Sequence, residues 1–255
     1  MVRQTVLPKL NPDRLTISLS MAQARTADYP LMAAAAGFDA VSIDLQHTVT
    51  PLETASMLCI AAAGAGLLPL VRVPSHSAEY LSRALDGGAR GIIVPHVNSV
   101  DDARRIVNVC RFPRVGSRGV VGPSMGEAMT FCEGETVVAL MLESPNAIAQ
   151  ADAIAAFPGV DMLLIGAYDL TTEMGIMGEF THPRFRRAID TAAAACKVHG
   201  KVLGLAGVAD LGQLAEFVAA GVRFISAGTD AGLFMGAAIQ RAAALQMLAI
   251  QITNH

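Results

Sequence analysis

Apolar residues fall in two alternating kinds of stretch: short, near-continuous runs suited to buried parallel strands, and longer Ala/Leu-rich stretches suited to helices. Four segments share one pattern, a Gly followed by an apolar run that ends at a small or polar residue: "GFDAVSID" (37–44), "GARGIIVP" (88–95), "GVDMLLIG" (159–166) and "GVRFISAG" (221–228). Each follows a helix-like stretch, so each Gly reads as the C-cap of a helix that turns into a strand. Between them lie "LTISLS" (15–20), "LPLVRVP" (68–74), "VVALMLES" (137–144) and "KVLGLAG" (201–207). The gaps predict helices over Asp28–Ala36, Pro51–Ala63, Ser77–Asp86, Val100–Cys110, Asn146–Phe157, Pro183–His199 and Leu211–Ala220, with a last one from about Ala231. Eight strand–helix pairs in strict alternation predict a (β/α)8 TIM barrel, a single domain spanning residues 1–255, with a doubly wound open sheet as the fallback. The one long irregular stretch is Phe112–Thr136.

Composition narrows the function classes. Of 255 residues 53% are hydrophobic and 16% charged, with a net charge of -3 and no Lys/Arg run, so nothing offers the basic footprint that nucleic acid requires. The first residues lack the apolar core of a signal peptide, and the longest apolar run, Met57–Val71, contains Pro69 and is too short to span a bilayer. Cys59, Cys110, Cys132 and Cys196 are widely spread and form no C-x-x-C pair, which predicts reduced core thiols in a cytoplasmic protein. A small metabolite is the expected partner.

In such a barrel the chemistry sits where strands exit. Strand two exits at Asp44, with Gln46 and His47 just beyond; strand three carries Arg72, strand five Glu143, and strand six leads through "IGAYDL" to Asp169. Charges beside apolar runs cost several kcal/mol unless paired or metal-bound. Glu143 and Asp169 are hard oxygen donors with no Cys or His in either motif, which favours Mg2+ or Mn2+ over structural zinc. Arg72 suits a substrate carboxylate or an enolate oxygen, and His47 a general base oriented by Asp44. Plainer roles remain open: an ion pair of Glu143 with Arg72, an N-cap at Asp169, a hydrogen-bonded loop histidine at His47. His96, in "VPHV", is placed to line the pocket. Asp86 falls at a helix C-terminus, the opposite end of its own barrel, where its role is structural or a reach into a neighbouring subunit.

The stretches "GFDAVSIDLQH", "PLVRVP", "LDGGARGIIVPHVNSVDDARR", "FPRVGSRGV", "LESPNAIAQADAIAAFPGVDMLLIGAYDLTTEMG" and "GTDAGLF" resemble, in order, the HpcH/HpaI family of metal-dependent pyruvate aldolases. The resemblance implies a class II aldolase that cleaves a 4-hydroxy-2-oxo acid to pyruvate or hydroxypyruvate and an aldehyde, using Mg2+ or Mn2+, with Co2+ a further option. It implies a hexamer, a trimer of dimers whose last helix packs on a neighbour. Carried onto this sequence, the metal ligands fall on Glu143 and Asp169, the enolate-stabilising arginine on Arg72, the base on His47 and its partnering carboxylate on Asp44. The backbone at Tyr168 and Asp169 meets the substrate carboxylate, and Asp86 matches a carboxylate linked to the histidine network. Gln46 stands where an acidic residue is usual, Met141 where a glutamine is, and Ala167 and Tyr168 alter the "GP-x-DL" motif; these changes bear on the substrate. The region after Arg118 is shorter than in typical members.

Three rival readings stand beside this one. A Schiff-base aldolase needs a lysine at a strand exit, and Lys9, Lys197 and Lys201 all lie elsewhere. A citramalyl- or malyl-CoA lyase shares the barrel and the Glu/Asp pair but needs a basic CoA-binding surface. A metabolite-binding homologue without turnover would not need His47, Arg72, Glu143 and Asp169 together.

Overall fold

A computed structural model describes residues 10–119 and 136–253. Eight parallel strands close into a barrel in sequence order. They are β1 (Thr16–Met21), β2 (Ala40–Asp44), β3 (Leu68–Arg72), β4 (Gly91–Val94), β5 (Val137–Leu142), β6 (Met162–Gly166), β7 (Val202–Ala206) and β8 (Val222–Thr229). The helices are α1 (Asp28–Ala35), α2 (Leu52–Gly64), α3 (Ala78–Asp86), α4 (Val100–Cys110), α5 (Pro145–Ala149), α6 (Ala151–Ala156), α7 (Ala167–Glu173), α8 (Pro183–His199), α9 (Leu211–Ala219) and α10 (Asp230–Thr253). The open-sheet fallback is thereby excluded.

The repeated glycines do what the sequence pattern requires. Gly37 adopts φ +91° after α1, its N–H donates to Ala34 O at 3.0 Å, and the Phe38 N–H donates to Ala33 O at 3.1 Å, closing the helix before β2. Two expectations shift in detail. The stretch expected as one helix over Asn146–Phe157 is two, α5 and α6, separated at Gln150 (φ -101°, ψ 5°). A short helix, α7, starts directly at the end of β6, earlier than a helix or turn capped by Asp169 would. The irregular stretch Phe112–Thr136, the shortened region after Arg118 and Cys132 fall largely or wholly on residues 120–135, outside the described residues.

The period of two along a strand sorts residues between two cores. Inside the barrel pack Ala40, Leu68, Leu70, Ile93, Val137, Ala139, Met141, Met162, Leu164 and Phe224. Between barrel and helices pack Val41, Ile43, Val71, Leu140, Leu163 and Ile165 with the buried faces of the helices. Continuing each inward register to the strand's C-terminal end places Asp44 after Ala40, Arg72 after Leu70, Glu143 after Met141 and Gly166 after Leu164. One alternation therefore builds the hydrophobic plug and aims the polar side chains into its mouth.

Candidate active site

Asp44 and Arg72 face each other in the β2–β3 register and form a two-pronged pair, Nε to Oδ1 at 2.9 Å and Nη2 to Oδ2 at 2.8 Å. Oδ1 also accepts the backbone N–H groups of Gln46 (2.9 Å) and His47 (3.4 Å). Burial pushes the Asp44 carboxyl up, but the Arg72 hydrogen bond and charge and those two N–H groups outweigh it, leaving the group below the ordinary carboxylate value. The pairing corrects one expectation: the Asp44 carboxylate orients Arg72 and reaches His47 through its main chain, not its ring. The His47 side chain is exposed at the rim, without a hydrogen bond among the described residues.

Glu143 lies one residue past β5, only 3% exposed. Its Oε2 accepts the backbone N–H of His96 at 2.6 Å and lies 3.1 Å from the His96 ring Nδ1. Its Oε1 is buried with no hydrogen-bond partner among the described residues. The carboxylate rests on Gly166, where an added Cβ would come within 2.7 Å of Cγ and Oε1. Burial raises the Glu143 carboxyl above its ordinary value; the His96 N–H and ring oppose this, and the nearby Asp169 charge adds to it. The Glu143–Arg72 ion pair is not formed, because Arg72 is committed to Asp44.

Asp169 is exposed in the first turn of α7. The N-cap of that helix is Gly166, so the N-cap reading of Asp169 is also set aside. Ala167 is buried beside it, and Tyr168 is exposed, packing edge-on against Phe180 at 5.2 Å. Arg72 and Tyr168 line a cavity of about 360 Å³ that continues into the barrel between Ser20, Ser42 and Ser226 on one wall and Met141 and Leu164 on the other.

Asp44, Gln46, Arg72, Glu143, Asp169, Ala167 and Tyr168 thus gather at one end of the barrel with His47 at its rim. Asp86 does not join them within this chain. It ends α3 at the opposite end and pairs with buried Arg118 at 2.6 Å, whose guanidinium lies over Phe112. His96 is more deeply involved than pocket lining implied: it touches Glu143 twice, and its Nε2 lies 3.1 Å from Gln46 Nε2. The sequence signal was a polar residue directly after a strand-ending Pro.

The buried, unpartnered Oε1 and the neighbouring Asp169 carboxylate fit a divalent cation, which satisfies the one and neutralises the mutual repulsion. Among the described residues no group of three His, Cys, Asp or Glu side chains is assembled to hold a metal. Two carboxylates alone suit a hard ion that keeps water or substrate oxygens as further ligands.

Against this geometry, the model of the HpcH/HpaI aldolase/citrate lyase family matches residues 22–237. The chain belongs to that family. A 4-hydroxy-4-methyl-2-oxoglutarate aldolase of Hapsidospora irregularis is 42% identical over 223 residues, covering 82% of this chain and 83% of the relative. A second protein of that name, from Chaetomium globosum, is 38% identical and covers 94% of each chain. Among solved structures, an HpcH/HpaI aldolase/citrate lyase family protein from Burkholderia cenocepacia superposes with a TM-score of 0.84 at 29% identity, over 92% of this chain and 95% of that one. For an HpcH/HpaI member, strand exits two, three, five and six are where the polar side chains converge here.

Proposed function

We propose that the chain is a divalent-metal-dependent carbon–carbon lyase that cleaves a 4-hydroxy-2-oxo acid between C3 and C4, releasing pyruvate or hydroxypyruvate and a second carbonyl compound. That compound is an aldehyde when C4 carries hydrogen. It is a 2-oxo acid when C4 carries methyl and carboxyl groups, as in the substrate for which the two relatives are named. The observation that carries this reading is the buried Glu143 carboxylate with one unpartnered oxygen, close enough to Asp169 to feel its charge and sharing the barrel mouth with Arg72.

Glu143 and Asp169 would hold the ion, Mg2+ or Mn2+ with Co2+ as a further candidate. When bound, it supplies positive charge that polarises the 2-oxo group and offsets the enolate charge. Arg72, fixed by Asp44, turns its remaining N–H groups toward the cavity, where they bind the substrate carboxylate or the developing enolate oxygen. His47 accepts the proton of the C4 hydroxyl as the C3–C4 bond breaks, and its exposure lets the proton pass to solvent. The electron pair of the broken bond becomes the enolate, and protonation at C3 completes pyruvate. The first-turn N–H groups of α7, at Ala167, Tyr168 and Asp169, add a partial positive charge suited to a carboxylate. Gln46 and Tyr168 complete the substrate contacts.

We further infer a homo-oligomer, a hexamer in which α10 seats on a neighbour. That helix exposes Leu233, Phe234, Met235 and Ile239 beside an apolar groove with Tyr29 and Met32. Among the described residues no helix is long and apolar enough to cross a membrane. Cys59, Cys110 and Cys196 are free and buried, each thiol pushed up to about 12, in keeping with a reducing cytoplasm.

Enolate formation is tested by proton exchange. Pyruvate in D2O should lose its methyl proton signal with metal-loaded protein and keep it with metal-stripped protein. Exchange with neither, from folded protein, would remove the aldolase reading.

A further inference from the structure

His96 follows Pro95 at the exit of β4 and holds φ +55°, a left-handed backbone that residues with a β-carbon rarely adopt. That conformation aims its N–H at Glu143 Oε2, and the ring folds back so that Nδ1 approaches the same oxygen at 3.1 Å. The other ring nitrogen lies 3.1 Å from the Gln46 side-chain amide nitrogen. An amide NH2 only donates, so Nε2 accepts from it, and the ring proton is left for Nδ1, the nitrogen 3.1 Å from Glu143 Oε2.

The segment is fixed from both sides. The Pro95 carbonyl accepts from His76 Nε2 at 2.7 Å, the Val97 N–H donates to Met141 O at 3.1 Å, and Asn98 Nδ2 donates to the His96 carbonyl at 3.2 Å. The ring itself is 60% exposed and adds little to the core, so packing does not account for its placement. The two His96 contacts both fall on Glu143 Oε2, and Oε1 of the same buried carboxylate is left without a partner among the described residues.

We propose that His96 is the positioning residue of the metal-binding carboxylate: it pins Oε2 and thereby presents Oε1 to the cation, while tying Gln46, the neighbour of the base, to the same carboxylate. This rests on the metal-dependent reading above and assigns within it a role to a side chain outside the Glu143–Asp169 pair. Polar contacts of this kind, made to the far side of a ligand, fix its orientation and commonly govern metal affinity by 10- to 100-fold.

The test is Mn2+ binding to metal-stripped protein, read as the loss of the free-ion electron paramagnetic resonance signal, for wild type, His96→Ala and His96→Asn, with thermal unfolding of each metal-free protein alongside. The expected result is a dissociation constant about 10- to 100-fold weaker in His96→Ala. His96→Asn, whose side-chain N–H replaces that of Nδ1, should recover much of the loss, with melting temperatures of the metal-free proteins unchanged. Wild-type affinity in His96→Ala overturns the proposal and leaves the metal centre standing. Equal losses in both variants overturn it too, since a mere donor is then not what the ring supplies. Wild-type protein that binds no Mn2+ at all removes the metal-dependent reading itself.

Discussion

Gly166→Ala separates metal binding from folding more cleanly than removal of a ligand. Gly166 has φ -86° and ψ 94°, a backbone open to alanine, so the effect is steric and not conformational. The new Cβ would sit 2.7 Å from Glu143 Oε1 and Cγ. Gly166 is held in the ladder opposite Ala206, so the glutamate side chain is the part that yields. To regain a 3.4 Å contact it must retreat by about 0.7 Å, enough to spoil a 2.6 Å hydrogen bond from His96 and to move Oε1 from its buried position. A ligand displaced on that scale should weaken Mn2+ binding about 10- to 100-fold, or roughly 1.4–2.7 kcal/mol. Isothermal titration of metal-stripped protein measures it, with chemical unfolding confirming that stability falls by no more than about 1–3 kcal/mol, so that the variant stays folded. Wild-type Mn2+ affinity in a folded variant would refute the placement of the ion at Oε1.

Further outcomes follow from the same geometry. Asp44 is held below its ordinary value of 3.8, so its contribution to stability is present above that value and is lost as pH falls through the lower folded value; the stability advantage of wild type over Asp44→Asn at pH 7 should shrink below about pH 4 in denaturant titrations. Arg72→Lys removes the two-pronged pair and should lower kcat by about 100-fold even where unfolding shows an intact barrel. Asp86→Asn strands the buried Arg118 guanidinium and should cost about 1–3 kcal/mol with kcat within about twofold of wild type; a lower kcat with unchanged stability would instead place Asp86 at a neighbour's site.

What the sequence made legible was whatever repeats. Near-continuous apolar runs preceded by Gly37, Gly88, Gly159 and Gly221 set the strand–helix alternation, and the charges interrupting those runs marked Asp44, Arg72 and Glu143 as mouth residues. What it concealed depends on neighbours distant in the chain. Arg72 pairs with Asp44 and not Glu143 because β2 and β3 are adjacent and in register, which sets the two side chains opposite each other. The break at Gln150 has no glycine or proline to announce it. α7 begins without a side-chain cap, so the usual start signal is absent. His96 read only as a pocket-lining residue after strand four, because only the folded backbone turns its N–H and its ring toward the same oxygen.

The most direct test of the central claim is pyruvate release from a racemic 4-hydroxy-2-oxo acid, including the 4-methyl-2-oxoglutarate form, by metal-stripped protein with and without added Mg2+, Mn2+ or Co2+, beside Glu143→Ala. The account predicts release that appears only on adding metal and is lost in the variant. Release by the stripped protein, or full activity in folded Glu143→Ala, would contradict it.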